Sequence, residues 1–311
     1  MKFSRLHAAL LLAVAARTAT AQQAGPLALL LPTAARPAAM GNAWVAGRDE
    51  YAVFTNPAQL NATNGFGVTL STFGGSGRGF AAASAASMGP VTLGWGVHIV
   101  DFSAPRTASA YPLAPATMVG GGDADQLSLV ALVAGQMTWK RFRIGVAGKY
   151  AEDVVATEAS SSSLLVLPTR GAAWLADVGV SHALWTGTAG LSLQNVGQPY
   201  VMRARQVSVP TQVSLGWTAQ KSWGPLDYGF ATQVSLRRGG WVAPAVGLET
   251  SWSWIEGFRV EARAGARRTE TDDEKPVGAG LSFTADRLTL DYGAAFYSHD
   301  RMGHRLTVRW R

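Results

Sequence analysis

The stretch Phe258-Arg259-Val260-Glu261-Ala262-Arg263-Ala264-Gly265-Ala266-Arg267 decides the fold class. Val260, Ala262, Ala264 and Ala266 alternate with Arg259, Glu261, Arg263 and Arg267. In an extended chain successive side chains point to opposite faces, so this spacing gives one apolar and one charged face, whereas a helix would mix them. The last ten residues repeat the pattern, with Leu306, Val308 and Trp310 set against Arg305, Thr307 and Arg309. After Lys140, Phe142, Ile144, Val146 and Tyr150 face one way, and Arg141, Arg143 and Lys149 the other.

Alternation alone does not separate a soluble sandwich from a membrane barrel, because each has one apolar face. The connections do separate them. Strand reading from Phe66 onward gives about fourteen strands of roughly 8–12 residues, near the roughly 9–11 that a tilted strand needs to cross a bilayer. The odd-numbered connections fall near Gly74–Gly77, Asp101–Asp125, Asp153–Arg170, Asn195–Ser208, Arg237–Gly240, Arg268–Lys275 and Tyr297–Gly303, and they include the three longest. The even-numbered connections, such as Met88–Pro90, Lys221–Pro225 and Ala285–Asp286, are tight. A barrel with long loops at one rim and short turns at the other has the form of an outer-membrane barrel. Trp139, Trp185, Trp223 and Trp254 sit at or beside the short turns, where an aromatic girdle would meet the membrane boundary.

Composition agrees. The chain has 35 Gly and 11 Trp, with only 15% charged residues. Beyond the N-terminal segment it holds no apolar run long enough for a transmembrane helix, which needs about 20 residues. With no Cys there are no disulfides, no thiolate metal site and no cysteine nucleophile.

Residues 1–21 read as a secretory signal peptide: Lys2 and Arg5, the apolar stretch Ala8 to Ala16, then Ala19-Thr20-Ala21 as an A-x-A cleavage site. Cleavage removes Lys2, Arg5 and Arg17 from 27 basic residues, leaving 24 against 20 acids and a net charge of +4. The expected destination is the bacterial outer membrane, with its lipid as partner and the N terminus on the periplasmic side.

Residues 22–65 do not alternate. Leu27 to Leu31, the breaks at Pro32 and Pro37, and the small-residue run Ala38 to Ala46 are too apolar for a free tail. They are expected to form a plug inside or under the barrel of residues 66–311. Asn56-Pro57-Ala58-Gln59-Leu60 reads as one helical turn, capped by Asn56 with Pro57 at the first position, where a missing N–H costs nothing.

The charged strand faces should line the lumen: Arg141, Arg143, Lys149, Asp227, Arg259, Glu261, Arg263, Arg267, Arg287, Asp291, Arg305 and Arg309. Such a lining is either an anion-selective surface or a set of cross-strand ion pairs that also hold the plug, and the second reading is preferred. Because the charge alternates with lipid-facing positions and forms no exposed basic patch, a nucleic-acid partner is not expected. Of the four histidines beyond the signal, none belongs to an H-E-x-x-H motif and none is paired at helix-face metal spacing. His182 and Ser181 occupy opposite faces of one strand, which argues against a barrel-embedded esterase. Neither an enzyme nor a bound cofactor or metal is expected.

The stretch Leu30-Leu31-Pro32-Thr33-Ala34-Ala35-Arg36-Pro37-Ala38-Ala39-Met40-Gly41-Asn42-Ala43, followed by Asn56-Pro57-Ala58, resembles the N-terminal signature of the PorV/PorQ family, within the wider FadL-like barrel group. Leu191-Ser192-Leu193-Gln194-Asn195-Val196-Gly197 and Arg287-Leu288-Thr289-Leu290-Asp291-Tyr292 look like further motifs of that family. The resemblance implies a fourteen-stranded barrel with an N-terminal plug. It also implies a role in type IX secretion, with secreted proteins or other secretion-machine subunits as partners. FadL-like relatives instead move hydrophobic molecules inward, and the Asn-Pro-Ala element occurs in both groups. For the secretion reading, the apolar run Leu164, Leu165, Val166 and Leu167 in the loop Asp153–Arg170 is the candidate partner surface.

Overall fold

The structure, a computed structural model, describes residues 26–60, 65–74, 77–105, 123–157, 169–202, 205–269 and 274–311. Among these, fourteen strands close into one antiparallel barrel. The first seven are β1 (Gly65–Phe73), β2 (Gly77–Met88), β3 (Val91–Pro105), β4 (Asp123–Trp139), β5 (Phe142–Thr157), β6 (Thr169–Leu184) and β7 (Gly187–Gly197). A small hairpin, β8 (Tyr200–Met202) and β9 (Arg205–Val207), interrupts the series. The wall resumes with β10 (Gln212–Trp223), β11 (Leu226–Arg237), β12 (Trp241–Ile255), β13 (Phe258–Arg267), β14 (Glu274–Ala285), β15 (Leu288–Tyr297) and β16 (Met302–Trp310). Each strand pairs with its sequence neighbour except across the hairpin, where β7 pairs with β10, and at the seam, where Phe66 of β1 lies opposite Trp310 of β16. Closure removes every unpaired strand edge, the condition for a sheet to stand in hydrocarbon.

The period-2 pattern resolves into two faces. Leu70, Val133, Val146, Leu215, Leu248, Leu281 and Leu306 are exposed on the outer surface, while their strand neighbours are buried inside. On β13, Val260 is exposed whereas Glu261 and Arg263 are buried. A soluble protein would have the reverse arrangement. Here the apolar side chains face outward because lipid is their solvent.

Trp139, Trp185, Trp223 and Trp254 all lie exposed at the ends of short-turn hairpins. The turns are two residues long, and several use left-handed backbone: Lys140, Trp185, Asp286, Gly89, Gly224 and Gly257 have positive φ.

Strand length departs from the sequence reading. β3 to β6 and β12 run to 15–17 residues, because Asp101–Pro105, Asp123–Asp125 and Asp153–Thr157, read above as loop, continue the ladder. Asp101, Asp123, Asp125 and Asp153 at the ends of these segments read as loop residues, whereas the pairing with the neighbouring strand continues through them. The connection Asn195–Ser208 likewise contains β8 and β9. Residues 1–21 and Leu164 to Leu167 lie outside the described residues.

Residues 26–60 pack against the inner face of the wall. They form a 3-10 turn at Leu27–Leu29, a short helix α1 (Ala35–Ala39), and 3-10 turns at Glu50–Phe54 and Pro57–Gln59. α1 contacts β13 to β16, the Glu50–Phe54 turn contacts β1 to β4, and the Pro57–Gln59 turn contacts β4 to β7. The segment therefore reaches around the circumference, and Ala35, Ala39, Ala52, Val53, Ala58 and Leu60 are fully buried. Close approach of backbone to wall sets the composition of the strands here. A Cβ at Gly145 would collide with the Pro57 backbone, and one at Gly265 with the Met40 backbone.

Candidate functional site

The plug is held by side chains whose positions the strand phase dictates. Asn56 caps its turn by accepting from the Ala58 N–H at 3.1 Å and donates through Nδ2 to the Val45 carbonyl at 2.8 Å. It thus ties two distant parts of the plug together. Ser181 of β6 donates to the Ala58 carbonyl at 3.3 Å, and Ser192 of β7 to the Thr55 carbonyl at 2.7 Å. Met40, Gly41, Asn42 and Ala43 form the turn after α1, where Gly41 and Asn42 both have positive φ. Further along, Gln233 of β11 accepts from the Trp44 and Val45 N–H groups through one oxygen, at 3.0 and 2.8 Å.

The charged lining is a paired network. Arg263, with no exposed side-chain surface, donates to Glu249 at 2.5 Å and to Asp291 at 2.7 Å, and also binds Glu261. Arg309 pairs with Asp291 at 2.6 Å, Arg259 with Glu261 at 2.9 Å and Asp227 at 3.3 Å, and Arg267 with Glu274. Arg36 of α1 joins through Glu249. A second group forms at the β7 bulge, where Lys149 pairs with Asp177 at 2.5 Å and donates to Asn195 at 3.1 Å. Buried ions of both signs thus face one another across the lumen, as the cross-strand pairing reading expects. Arg305 is also buried, its guanidinium stacked 4.9 Å from the Phe73 ring centre. Arg143 is half-buried and donates to Ser181 at 2.9 Å.

Two of the expected lumen residues lie off the strands. Arg141 and Arg287 stand in short turns rather than on strands, and both are exposed. The alternation was extended one residue past each strand, into positions where the chain is already reversing. Conversely Glu249, Asp177, Glu50 and Gln233 were missed. Each lies in the lumen-facing phase of its strand or within the plug, so phase would have found the first two and the last.

Glu50 is 1% exposed, and its carboxylate oxygens lie 3.9 Å from Arg309 and 3.7 Å from Arg311. Burial, reinforced by the neighbouring charge of Asp49, pushes its carboxyl above the ordinary value, and Arg309 and Arg311 only partly oppose this.

Among the described residues, three cavities border the plug. At the long-loop end, a cavity of about 130 Å³ lies between Leu27, Leu29, Leu30 and Leu31 of the plug and Gln212, Gln233 and Arg267 of the wall. An inner cavity of about 100 Å³ shares Leu29, Leu30, Leu31, Asn42, Gln212 and Gln233 with it. At the short-turn end is a wider, polar chamber of about 540 Å³, lined by Arg36, Arg48, Glu249, Arg287 and Arg311. Trp44 lines both the inner cavity and this chamber. Of these, the chamber falls in the range of roughly 300–1,000 Å³ usual for small-molecule sites. The hairpin of β8 and β9 packs beside β6, with the Tyr200 hydroxyl donating to Asp153 at 2.7 Å.

A closed fourteen-stranded wall, an outward apolar face and a lumen filled by its own N-terminal segment define a plugged transmembrane β-barrel of the outer-membrane type. The chain is similar to the Pseudomonas putida toluene transporter TodX, at 9% identity and TM-score 0.60, over 93% of this chain and 98% of that one. It is similar to the Ralstonia pickettii toluene transporter TbuX, at 12% identity and TM-score 0.58, over 92% and 99%. A FadL homologue from Pseudomonas aeruginosa aligns at 10% identity and TM-score 0.57, over 90% and 98%. At these identities the likeness is one of fold. No protein-family model and no curated protein matches the sequence.

Proposed function

We propose that this barrel passes hydrophobic small molecules across the outer membrane around its plug, without enzymatic chemistry, and with the N terminus and short turns on the periplasmic side. The observation that carries this reading is the leucine-walled cavity at the long-loop end, continued by the inner cavity behind it. An apolar solute leaving water gains about 25 cal/mol for each Å² it buries, and a wall of Leu27 to Leu31 offers such burial at the mouth of a polar lumen. The plug then blocks bulk water and ions while leaving spaces of single-molecule size. The neighbours named above are consistent with this reading, since two of them are described as toluene transporters.

The secretion role implied by the N-terminal resemblance draws no support from these neighbours. It also fits the lumen less well, because a folded export domain is far larger than the spaces the plug leaves. Reconstitution of the purified barrel into lipid vesicles tests the proposal. Toluene should equilibrate faster than across vesicles holding an unrelated closed barrel of similar size. Equal rates would overturn the proposal. Chemical crosslinking in cells that traps exported proteins sharing one C-terminal domain would restore the secretion reading.

A further inference from the structure

The polar chamber of about 540 Å³ at the short-turn end is lined by six arginines and three acids. Most of these charges are spent on one another or on the wall. Glu249 is gripped by Arg36 and Arg263, Glu261 by Arg259 and Arg263, and Arg309 holds Asp291. Three arginines differ. Arg48 of the plug and Arg287, in the turn between β14 and β15, are exposed and, among the described residues, make no ion pair. Arg311, which follows β16, lies 3.7 Å from the buried Glu50, a carboxyl that burial inclines to keep its proton. Asp286, next to Arg287, is the one lining acid that likewise makes no ion pair among the described residues. The chain brings the three arginines to one end: the Arg311 N–H donates to the Arg287 carbonyl at 3.0 Å, and Arg48 precedes Glu50 by two residues.

We propose that this chamber seats a compact small molecule bearing at least two anionic phosphoryl or carboxylate groups, held between Arg48 of the plug and Arg287 and Arg311 of the wall. The three side chains are within reach of a solute, since Arg48 and Arg287 are exposed and the Arg311 side chain is 39% exposed. Charge sets the sign and valence of the ligand. Three guanidiniums face one free carboxylate, so a single negative charge would still leave cation in excess. Each guanidinium presents a planar fork of N–H donors that fits a carboxylate or phosphate through two parallel hydrogen bonds. Thr186, Thr188 and Gln220 add neutral donors from the side of β7 and β10. Electrostatics agree. Burial lowers the pKa of Arg48 from its ordinary value with no acid to oppose it, and burial followed by the charge of Arg309 does the same to Arg311 despite Glu50. A bound anion offsets both. The chamber shares no lining residue with the leucine-walled cavity, so this site does not depend on the passage of apolar solutes.

Titration calorimetry of the purified barrel in a non-ionic detergent, with pyrophosphate, tricarballylate and acetate, tests the site. One or both polyanions should bind at least about tenfold more tightly than acetate, which carries a single charge. Pyrophosphate alone would assign a phosphoryl ligand, and tricarballylate alone a polycarboxylate. Arg48→Gln combined with Arg287→Gln should weaken binding at least about tenfold. Both residues are exposed and unpaired, so this variant should still assemble, which heat-modifiable mobility on a gel verifies. Arg238→Gln, an exposed arginine at the long-loop end, removes the same kind of charge and should leave binding unchanged. Because the ligand ties plug to wall, it should also slow protease cleavage of the plug severalfold in the parent and not in Arg48→Gln. The inference is overturned by polyanions that bind no better than acetate, by an equal loss in Arg238→Gln, or by binding that leaves plug cleavage unchanged. Binding of hexaglutamate with neither small polyanion would overturn it as well, by assigning the chamber to an acidic chain.

Discussion

Arg36 of the plug donates two hydrogen bonds to Glu249 of β12, through Nε at 3.0 Å and Nη2 at 2.8 Å, and so joins the plug to the barrel wall by a two-point charged contact. The same carboxylate also accepts from Arg263, so one acid serves the plug and the wall at once. Removing its charge takes from Arg36 the carboxylate it grips and leaves Arg263 with Asp291 and Glu261. Breaking a buried pair by deleting one partner costs about 3–5 kcal/mol. Glu249→Gln should therefore lower stability to urea in detergent micelles by about that amount. A change within experimental error would show that water or Glu261 compensates.

Plug seating depends on the missing side chains of the wall. Gly145→Val places branched bulk where the Pro57 backbone now lies, and the strand cannot retreat without breaking its ladder with β4 and β6. The plug should yield instead. The variant barrel is expected to assemble, to show heat-modifiable mobility on a gel, and to conduct ions in a planar bilayer severalfold more than the parent. Unchanged conductance would mean that residues 26–60 do not seal the lumen.

The outer face is assigned to lipid by Leu215 and Leu248, 59% and 58% exposed. An arginine on a lipid-facing strand near the bilayer midplane costs about 2–4 kcal/mol. Leu248→Arg should destabilise the barrel by an amount in that range when unfolded from phospholipid vesicles, and by clearly less from micelles, whose headgroups lie closer. Equal, small effects in both would place this residue near an interface.

Glu50 gives the plug a pH dependence. Its folded carboxyl titrates above the ordinary value, so the folded state holds a proton that the unfolded chain has already released. The stability associated with that proton is fully present below the ordinary carboxylate value and is lost as the pH rises through the raised one. Protection of the plug from added protease, measured across this window, should fall with rising pH. Glu50→Gln should flatten the profile and keep protection high. A profile that rises with pH would show that Arg309 and Arg311 outweigh burial at this site.

Much of this protein is legible in its sequence. Strand phase, loop parity and the tryptophans at the short turns define a barrel of fourteen strands, because a sheet with period 2 and lipid on one side must alternate along its whole length. The Asn56-Pro57 cap was legible for the same local reason, since a cap is chemistry between near neighbours. Where local pattern ends, the reading differs from the structure: at Arg141 and Arg287, one residue beyond a strand, and in β3 to β6, whose ladders continue past the residues read as loop.

Only the tertiary structure decided what fills the lumen and what remains open. That Arg36 meets Glu249, that Lys149 meets Asp177, and that Asn42 Oδ1 is left without a protein donor follow from barrel closure, which brings residues far apart in sequence across one shared interior. Charge alternation shows that ions face inward. It carries no information on which ion finds which, because closure and plug seating, rather than spacing along the chain, set those distances.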